Sequence, residues 1–134
     1  HRYRMAFWNG QKWIDREVAY GGKCLYNAES SYTGLITLDP VDPSFVVIST
    51  DVDPSTGKDT GGKHEVYCAN VGPGDDIKTV KWQLLSATPE VRDLRPIIVR
   101  DKKRRVILWL RGQYSTYTSY SLDVVGICQP LGNK

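Results

Sequence analysis

The sequence predicts an all-β protein built from antiparallel four-stranded sheets, and three observations support this fold class. No stretch keeps apolar residues at the i, i+3, i+4, i+7 spacing of an amphipathic helix over three turns. Short β-branched or aromatic segments instead alternate with clusters of Gly, Pro, Asp and Ser, as strands alternate with turns. The same series of segments begins at Gly34 and begins again at Arg95, which indicates an internal repeat.

Residues 34–91 contain the clearest unit of this repeat. The pattern predicts four strands in it, at residues 34–39, 45–49, 64–69 and 80–86. Residues 39–43 predict a tight turn, because Pro fixes its own φ angle and Asp hydrogen-bonds the backbone that follows it. A polar loop over residues 51–63 separates the second strand from the third. Four consecutive antiparallel strands form one blade of a β-propeller, so we expect residues 34–91 to be a complete blade.

The segments on either side fit the same plan. Residues 92–134 predict the first three strands of the next blade and a C-terminal tail, with strands at 95–100, 105–111 and 119–128, a turn at 101–104 and a loop at 112–118. The separation of Cys68 from Cys128 nearly equals that of Gly34 from Arg95 and gives a second measure of the period. Within residues 1–33, Asn9-Gly10 is a strong hairpin signal. We therefore expect residues 1–33 to form the outer hairpin of a preceding blade and a connector.

Two of the predicted strands, at residues 45–48 and 106–110, are apolar on both faces. A strand with one face in water alternates apolar and polar residues, so both faces of these strands should be covered, as between stacked blades. A propeller ring has ~4–8 blades. We therefore expect the remaining blades to come from a longer polypeptide or from other copies of the chain.

Composition narrows the classes of function. Eight of the twenty residues 92–111 are Lys or Arg, but the net charge is only +3, so we expect no nucleic-acid partner. The three cysteines, Cys24, Cys68 and Cys128, show no CxxC or Cys/His spacing, so we expect neither a metal nor another cofactor. No run approaches the ~18 apolar residues of a transmembrane helix, so we expect no membrane partner.

The predicted blade topology places a candidate site. The loop that enters the first strand of a blade and the loop between its second and third strands lie on one face. One blade brings residues 30–33 and 51–53 to this face, and the next brings residues 92–95 and 111–114. This set includes Arg92, Arg95 and Arg111, whose guanidinium groups can bind carboxylates or sulfates through two hydrogen bonds. The structural alternatives are an ion pair for Arg111, and pairing of Arg92 and Arg95 with Asp93 or Glu90.

Aromatic residues complete the candidate site. We predict Tyr114 and Arg111 as the catalytic pair, with substrate-binding residues Arg92, Arg95, Tyr32, Gln113, Tyr117 and His64. Tyrosines can stack on sugar rings or, beside an arginine, transfer a proton. His64 follows a long loop and could fold into the site, although a lone histidine at a strand start is more often only a polar residue. Asp51 and Asp53 resemble a calcium loop but lack the glutamate at its twelfth position, which favours a plain turn.

Residues 32–43, 47–54 and 109–120 resemble the BNR-repeat (sialidase-like) propeller proteins, and the resemblance extends over residues 3–127. It implies a multi-bladed propeller that acts on polysaccharides, secreted or periplasmic, and some similar propellers are lyases that use Tyr, His and Arg. The Asp-box motif S-x-D-x-G-x-T-W is degenerate here. Of its two partial matches, residues 9–13 lack one residue of the motif and residues 74–82 contain extra residues. The resemblance therefore transfers no catalytic residue to this chain.

Two kinds of function follow from these residues. The first is an enzyme, a lyase or glycosidase, acting on an acidic oligosaccharide or polysaccharide. A lyase needs a base such as Tyr114 and a cation such as Arg111, whereas a glycosidase more often needs two carboxylates. The second is a non-catalytic sugar-binding or scaffold propeller, which needs only the arginine and aromatic surface.

Overall fold

The computed structural model describes residues 1–29 and 32–131, and these residues form β-strands, turns and loops without a helix. The strands are β1 (Arg2–Trp8), β2 (Trp13–Tyr20), β3 (Ile36–Leu38), β4 (Phe45–Thr50), β5 (Glu65–Asn70), β6 (Gln83–Leu84), β7 (Arg92–Arg100), β8 (Arg104–Thr116) and β9 (Ser119–Pro130). Every pairing between them is antiparallel. The prediction of an all-β fold with antiparallel sheets is therefore confirmed.

The strands form three sheets in which each strand pairs with its neighbour in the sequence. The first sheet is β1-β2, the second is β3-β4-β5-β6, and the third is β7-β8-β9. Short turns join most of the strands within a sheet, as expected for hairpins. In the described part of the chain, no helix is long and apolar enough to span a membrane.

The second sheet packs against the first through one side of β4. Every residue of β4 is buried, and alternate side chains point to opposite faces. Val46 and Ile48 belong to one hydrophobic cluster with Tyr3 and Met5 of β1. The Tyr3 hydroxyl also donates a hydrogen bond of 2.8 Å to the Ser49 carbonyl oxygen, which fixes the first sheet on the second.

The other side of β4 packs against the third sheet. Phe45 and Val47 form a cluster with Ile107 and Trp109 of β8, and Trp109 is only 4% exposed. The second sheet is thus covered on both faces, as the continuous apolar run at residues 45–48 predicted.

One face of the third sheet is covered, whereas the other is covered only at the end where Leu25 packs on Leu94 and Tyr114. Ile107 and Trp109 are buried, whereas Ile97, Val99 and Val124 on the opposite face are 53%, 52% and 69% exposed. Within the described chain no further sheet lies against this face at residues 106–110, so the expectation that both sides of this strand are covered, which assigns the cover to further blades, stays a prediction.

The expected loop at residues 112–118 is also wrong. β8 continues to Thr116 and pairs with β9, with Gly112 opposite Leu122 and Tyr114 opposite Tyr120. Gly112 permits this close pairing, because an added Cβ would lie 2.2 Å from the Ser121 carbonyl oxygen. Only Tyr117 and Thr118 remain as the turn, so the strand pair carries Tyr114, which the sequence had placed in a loop.

Candidate functional site

An aromatic hollow lies where the connector after β2 meets the third sheet. Leu25 of the connector packs against Leu94 and Tyr114 of the third sheet, and all three are buried. Above them is a cavity of about 290 Å³, hereafter the aromatic hollow, lined by Tyr26, Glu29, Tyr32, Arg95, Tyr114 and Tyr117. The apolar contacts hold the connector on the sheet and so position its tyrosines opposite Tyr114 of β8 and Tyr117 of the following turn.

Arg95 lies in this hollow with its guanidinium among aromatic rings. Its guanidinium carbon is 5.1 Å from the ring centre of Tyr32 and 5.8 Å from that of Tyr114. No carboxylate of the described residues lies within ion-pair distance of Arg95. A guanidinium in this setting keeps its hydrogen-bond donors for a ligand while the rings stabilise its charge.

The backbone at Arg95 is in the left-handed region, with φ of 52°. This conformation is uncommon for residues with a side chain. It coincides with an irregularity in the pairing of β7 with β8 between Leu94 and Ile97. The Arg95 amide donates a hydrogen bond of 2.9 Å to the Gly34 carbonyl oxygen, which ties this point of β7 to the segment just before β3. The irregularity therefore fixes where the Arg95 side chain leaves the strand.

Tyr114 forms the floor of the hollow. It is 6% exposed, and its ring stacks on that of Tyr120 with 6.5 Å between centroids. Its hydroxyl is buried and has no hydrogen-bond partner among the described residues. A buried polar group without a partner is unfavourable, so a ligand oxygen at this position would stabilise it.

Glu29 is an exposed acid on the rim of the hollow. The pKa of Tyr26 is raised, first by loss of water around the ring and then by the charge of Glu29. The raised pKa keeps the Tyr26 hydroxyl protonated at pH 7, in the same hollow as Arg95.

Arg92 has a structural contact in the same region. Its Nη1 donates two hydrogen bonds of 2.8 Å, one to the Leu25 carbonyl oxygen and one to the Tyr114 carbonyl oxygen. Arg92 thus fastens the connector to β8, and it does not line the aromatic hollow.

Arg111 is bound to Asp93 rather than turned toward the tyrosines. Its Nε and Nη2 donate to the two oxygens of Asp93 at 2.8 and 3.0 Å. Burial alone raises the pKa of Asp93, which is fully buried, but hydrogen bonds from Arg111 and Thr88 outweigh this effect and lower it. Arg111 also lies over the ring of Trp109. The structure therefore shows the ion pair that the sequence left open, and it does not bring Arg111 into the hollow with Tyr114.

Gln113 and His64 lie apart from the aromatic hollow. Gln113 lines a separate polar groove with Lys63, Glu90 and Arg92. His64 is 2% exposed, and burial lowers its pKa to about 4 although the nearby Asp51 carboxylate opposes this shift. A neutral, enclosed imidazole cannot act on a substrate in the hollow without rearrangement.

Of the predicted site residues, Arg95, Tyr32, Tyr114 and Tyr117 thus meet in one cavity. Sequence reasoning missed Tyr26 and Glu29. The only signal was the pair Leu25-Tyr26 in an otherwise polar connector, since large apolar residues in a connector often anchor it. Ser30 and Ser31, predicted on the same face, lie outside the described residues. The described residues contain no cluster of three or more His, Cys, Asp or Glu able to hold a metal ion.

In comparisons with known proteins, no family model, no curated protein and no solved structure matches this chain.

Proposed function

We propose that the chain is part of a sialidase-like β-propeller and that the aromatic hollow binds the acidic unit of an oligosaccharide or polysaccharide. The stacking of three antiparallel sheets, with the second covered by the other two, supports the propeller. The resemblance of residues 3–127 to BNR-repeat proteins supports the same assignment, and with it a secreted or periplasmic location.

The observation that carries the binding function is the unpaired guanidinium of Arg95 between Tyr32 and Tyr114. Most other arginines of this region are committed to structure, as Arg92 and Arg111 illustrate. Arg95 is thus the cation best placed to hold a carboxylate or sulfate.

The tyrosine walls favour a sugar as the carrier of that anion. A tyrosine ring offers an apolar face for the C–H groups of a pyranose and a hydroxyl for its oxygens. Tyr26, Tyr32 and Tyr117 surround Arg95, so both surfaces lie within reach of a single sugar unit. Uronates, sialates and sulfated sugars combine these features.

Catalysis by elimination is the second candidate and draws on the unpartnered hydroxyl of Tyr114, which is buried and, like His64, would first have to become exposed to reach a substrate. In a uronate lyase the deprotonated Tyr114 oxygen would take the C5 proton while Arg95, in place of Arg111, would neutralise the carboxylate. The C5–H electron pair would form the C4–C5 double bond as the C4–O bond breaks, and Tyr114 would return the proton to the leaving oxygen. Tyr114→Phe distinguishes the two candidates, because a lyase would lose turnover and keep binding, whereas a binding protein would change little.

Calorimetric titration with uronate, sialate and neutral oligosaccharides tests the proposal. Arg95→Ala should weaken binding of acidic oligosaccharides by about 1.5–3 kcal/mol, the usual value for a hydrogen bond to a charged group. Arg16→Ala is the matched control, since Arg16 is an exposed arginine on the first sheet. Wild-type affinity in Arg95→Ala for every acidic ligand that the protein binds would place the site elsewhere.

A further inference from the structure

Two tryptophans lie exposed at the end of the first hairpin. Trp8 ends β1 and Trp13 begins β2, and the two side chains face each other as the last cross-strand pair before the turn. They are 56% and 66% exposed, and their ring centroids are 5.7 Å apart with 58° between the ring planes. Large apolar side chains that lie together at a surface are informative, because they mark an interaction site.

The other two tryptophans of the chain are used in packing. Trp109 is buried in the cluster between the second and third sheets. Trp82 is half-buried, and its indole N–H donates a hydrogen bond of 3.2 Å to the Val18 carbonyl oxygen. Trp8 and Trp13, in contrast, belong to none of the three hydrophobic clusters formed by the described residues. Packing of the core therefore does not account for the exposed pair.

The turn at residues 9–12 fixes the position of the two indole rings. The Asn9 side-chain oxygen accepts the amides of Gln11 and Lys12 at 2.9 and 2.8 Å, and the Asn9 amide donates to the Lys12 carbonyl oxygen. Gly10 is in the left-handed region, with φ of 94°, which favours glycine. A cross-strand aromatic pair stabilises such a hairpin. This role accounts for the contact between the rings and leaves their outer surfaces open to a ligand.

The same face of the hairpin continues from the tryptophans as a row of charged side chains. Alternate residues of a strand share a face, so the pair Ala6 and Asp15 comes next to the tryptophans and the pair Arg4 and Glu17 lies beyond it. Neighbouring pairs of this kind are about 7 Å apart along the strand. Because Ala6 is small and exposed, it leaves room beside the indole rings for a bound molecule. This surface, hereafter the hairpin platform, is formed by Ala6, Trp8, Trp13 and Asp15.

Opposite charges are balanced next to the rings. Arg4 donates through Nε and Nη2 to Asp15 and through Nη1 to Glu17, at 2.6 to 3.2 Å. Arg2 lies 3.7 Å from Glu17. The two arginines match the two carboxylates, so this row attracts neither anions nor cations. A carboxylate offers about four lone-pair positions, so both acids keep free positions for hydroxyl donors.

We propose that the hairpin platform is a second saccharide site, which binds an uncharged sugar chain. One indole ring stacks on the apolar face of a sugar ring, and the Asp15 carboxylate accepts hydrogen bonds from the hydroxyl groups of that sugar. Because the indole planes are tilted by 58°, they cannot both stack on one flat ring, so the second indole contacts the edge of the sugar. The site shares no residue with the aromatic hollow, and it does not depend on the binding of an acidic unit by Arg95.

The charged row disfavours a protein as the occupant. Interface tryptophans bind most strongly where the residues around them exclude water. Here the neighbouring side chains of Arg4, Asp15 and Glu17 are 43% to 52% exposed, and a protein that covered them would remove three charges from water, which is costly. A sugar hydroxyl hydrogen-bonds one carboxylate oxygen and leaves the rest of the group in water. An anionic polymer would meet the two carboxylates beside the rings, so an uncharged sugar is the occupant that fits best.

NMR titration of the isotope-labelled chain with hexasaccharides of glucose, mannose, galactose and xylose tests the proposal. Trp8→Tyr and Trp13→Tyr identify the indole N–H signals of the pair, because each substitution removes one signal. With at least one of these neutral hexasaccharides, the signals of Trp8 and Trp13 should shift and saturate with a Kd of about 1 mM or below. The signals of Trp82 and Trp109, whose rings are packed, are the internal control and should not move.

Substitutions in the platform give the expected fold-changes. Trp13→Ala should weaken binding of the same hexasaccharide at least about tenfold, because Trp13 is the more exposed ring. Trp13→Tyr keeps an aromatic face and should stay within about threefold of wild type. Val41→Ala is the matched control, since it removes a side chain that is 68% exposed from the turn after β3, and it should bind like wild type.

Asp15→Asn gives a measurement that leaves both tryptophans in place. An amide oxygen is a weaker acceptor than a carboxylate, so affinity for the neutral hexasaccharide should fall about three- to tenfold. The backbone amide signals of each variant report whether it is folded. Unchanged affinity in both Asp15→Asn and a folded Trp13 variant, Ala or Tyr, whose own signal is lost would contradict the site.

Absence of any shift of the Trp8 and Trp13 signals with all four hexasaccharides at up to about 10 mM would overturn the proposal. A shift that appears only on raising the protein concentration would also overturn it, since a second copy of the chain would then be the occupant. Trp13→Ala should keep the wild-type affinity for acidic oligosaccharides, which Arg95→Ala should lose. Failure of this proposal and failure of acid binding in the hollow are therefore distinguishable.

Discussion

Asp39 of the second sheet accepts a hydrogen bond from Arg105 of the third sheet, with 2.6 Å between Oδ2 and Nε, and a second one from Arg100. Burial by itself raises the pKa of Asp39, but hydrogen bonds from the backbone of Val41 and from the two arginines lower it to about 2. One carboxylate thus joins two sheets at the end opposite the aromatic hollow.

Asp39→Ala should lower the free energy of unfolding by about 3 kcal/mol, because it leaves two largely buried guanidinium groups without their anion. Chemical denaturation measures the change. Asp101→Ala is the matched control, since Asp101 has the same turn hydrogen bonds but an exposed ion pair, and it should cost less than about 1 kcal/mol. Equal losses in the two variants would mean that the turn, and not the contact between sheets, carries the stability.

Stability should fall as the pH decreases from 6.5 to about 4, because of His64. Its pKa is about 4 in the folded chain and 6.5 in a free side chain, so the unfolded state takes up the proton first. Unfolding then becomes easier by at most about 1.4 kcal/mol per pH unit in this window. His64→Gln should remove this slope and His1→Gln should keep it, as measured by urea denaturation at successive pH values. A slope that survives in His64→Gln would assign the proton uptake to another group.

The fold was predictable because strand and turn signals are local. Asp39 and the prolines that follow it specify a turn, and the apolar residues 45–48 specify a strand covered on both faces. The apolar run at 106–110 has the same signature but an open face, since the sequence of a strand does not say whether its neighbour is present. The extent of β8 was missed because Ser and Thr around Tyr114 suit a loop as well as an exposed strand.

The site was predictable only in part, because the partners of an arginine depend on contacts distant in sequence. Arg92, Arg95 and Arg111 were all candidates, and residue type alone does not distinguish them. Asp93 lies opposite Arg111 in the sheet and binds it, and the carbonyl oxygens of Leu25 and Tyr114 bind Arg92. Arg95 lies at the irregularity in β7 and has no carboxylate partner among the described residues, and no residue pattern predicted this irregularity.

Arg111→Ala should therefore act on stability and not on binding. Removing the guanidinium leaves the fully buried Asp93 carboxylate without a cationic partner among the described residues, with only the hydroxyl groups of Thr88 and Ser86 to stabilise it, which should cost about 3 kcal/mol. Affinity for acidic oligosaccharides at a temperature where the variant is folded should match wild type. A stable Arg111→Ala variant with weakened binding would instead support the hypothesis that Arg111 contacts the substrate.

Glu29→Gln should strengthen the binding of acidic saccharides. Glu29 lines the hollow that contains Arg95, so its carboxylate repels an incoming anion. Because Glu29 is exposed, the repulsion is screened, and its removal should raise affinity by about two- to fivefold, equivalent to about 0.4–1 kcal/mol. The gain should shrink as salt is raised from about 20 to about 500 mM, since mobile ions screen exposed charges.

Calorimetry with a neutral oligosaccharide is the control, and the affinity of the protein for this ligand should not change. A gain of the same size for neutral and acidic ligands would mean that the substitution alters the shape of the hollow and not its charge, and an unchanged affinity for acidic ligands would place the bound anion away from Glu29 and Arg95.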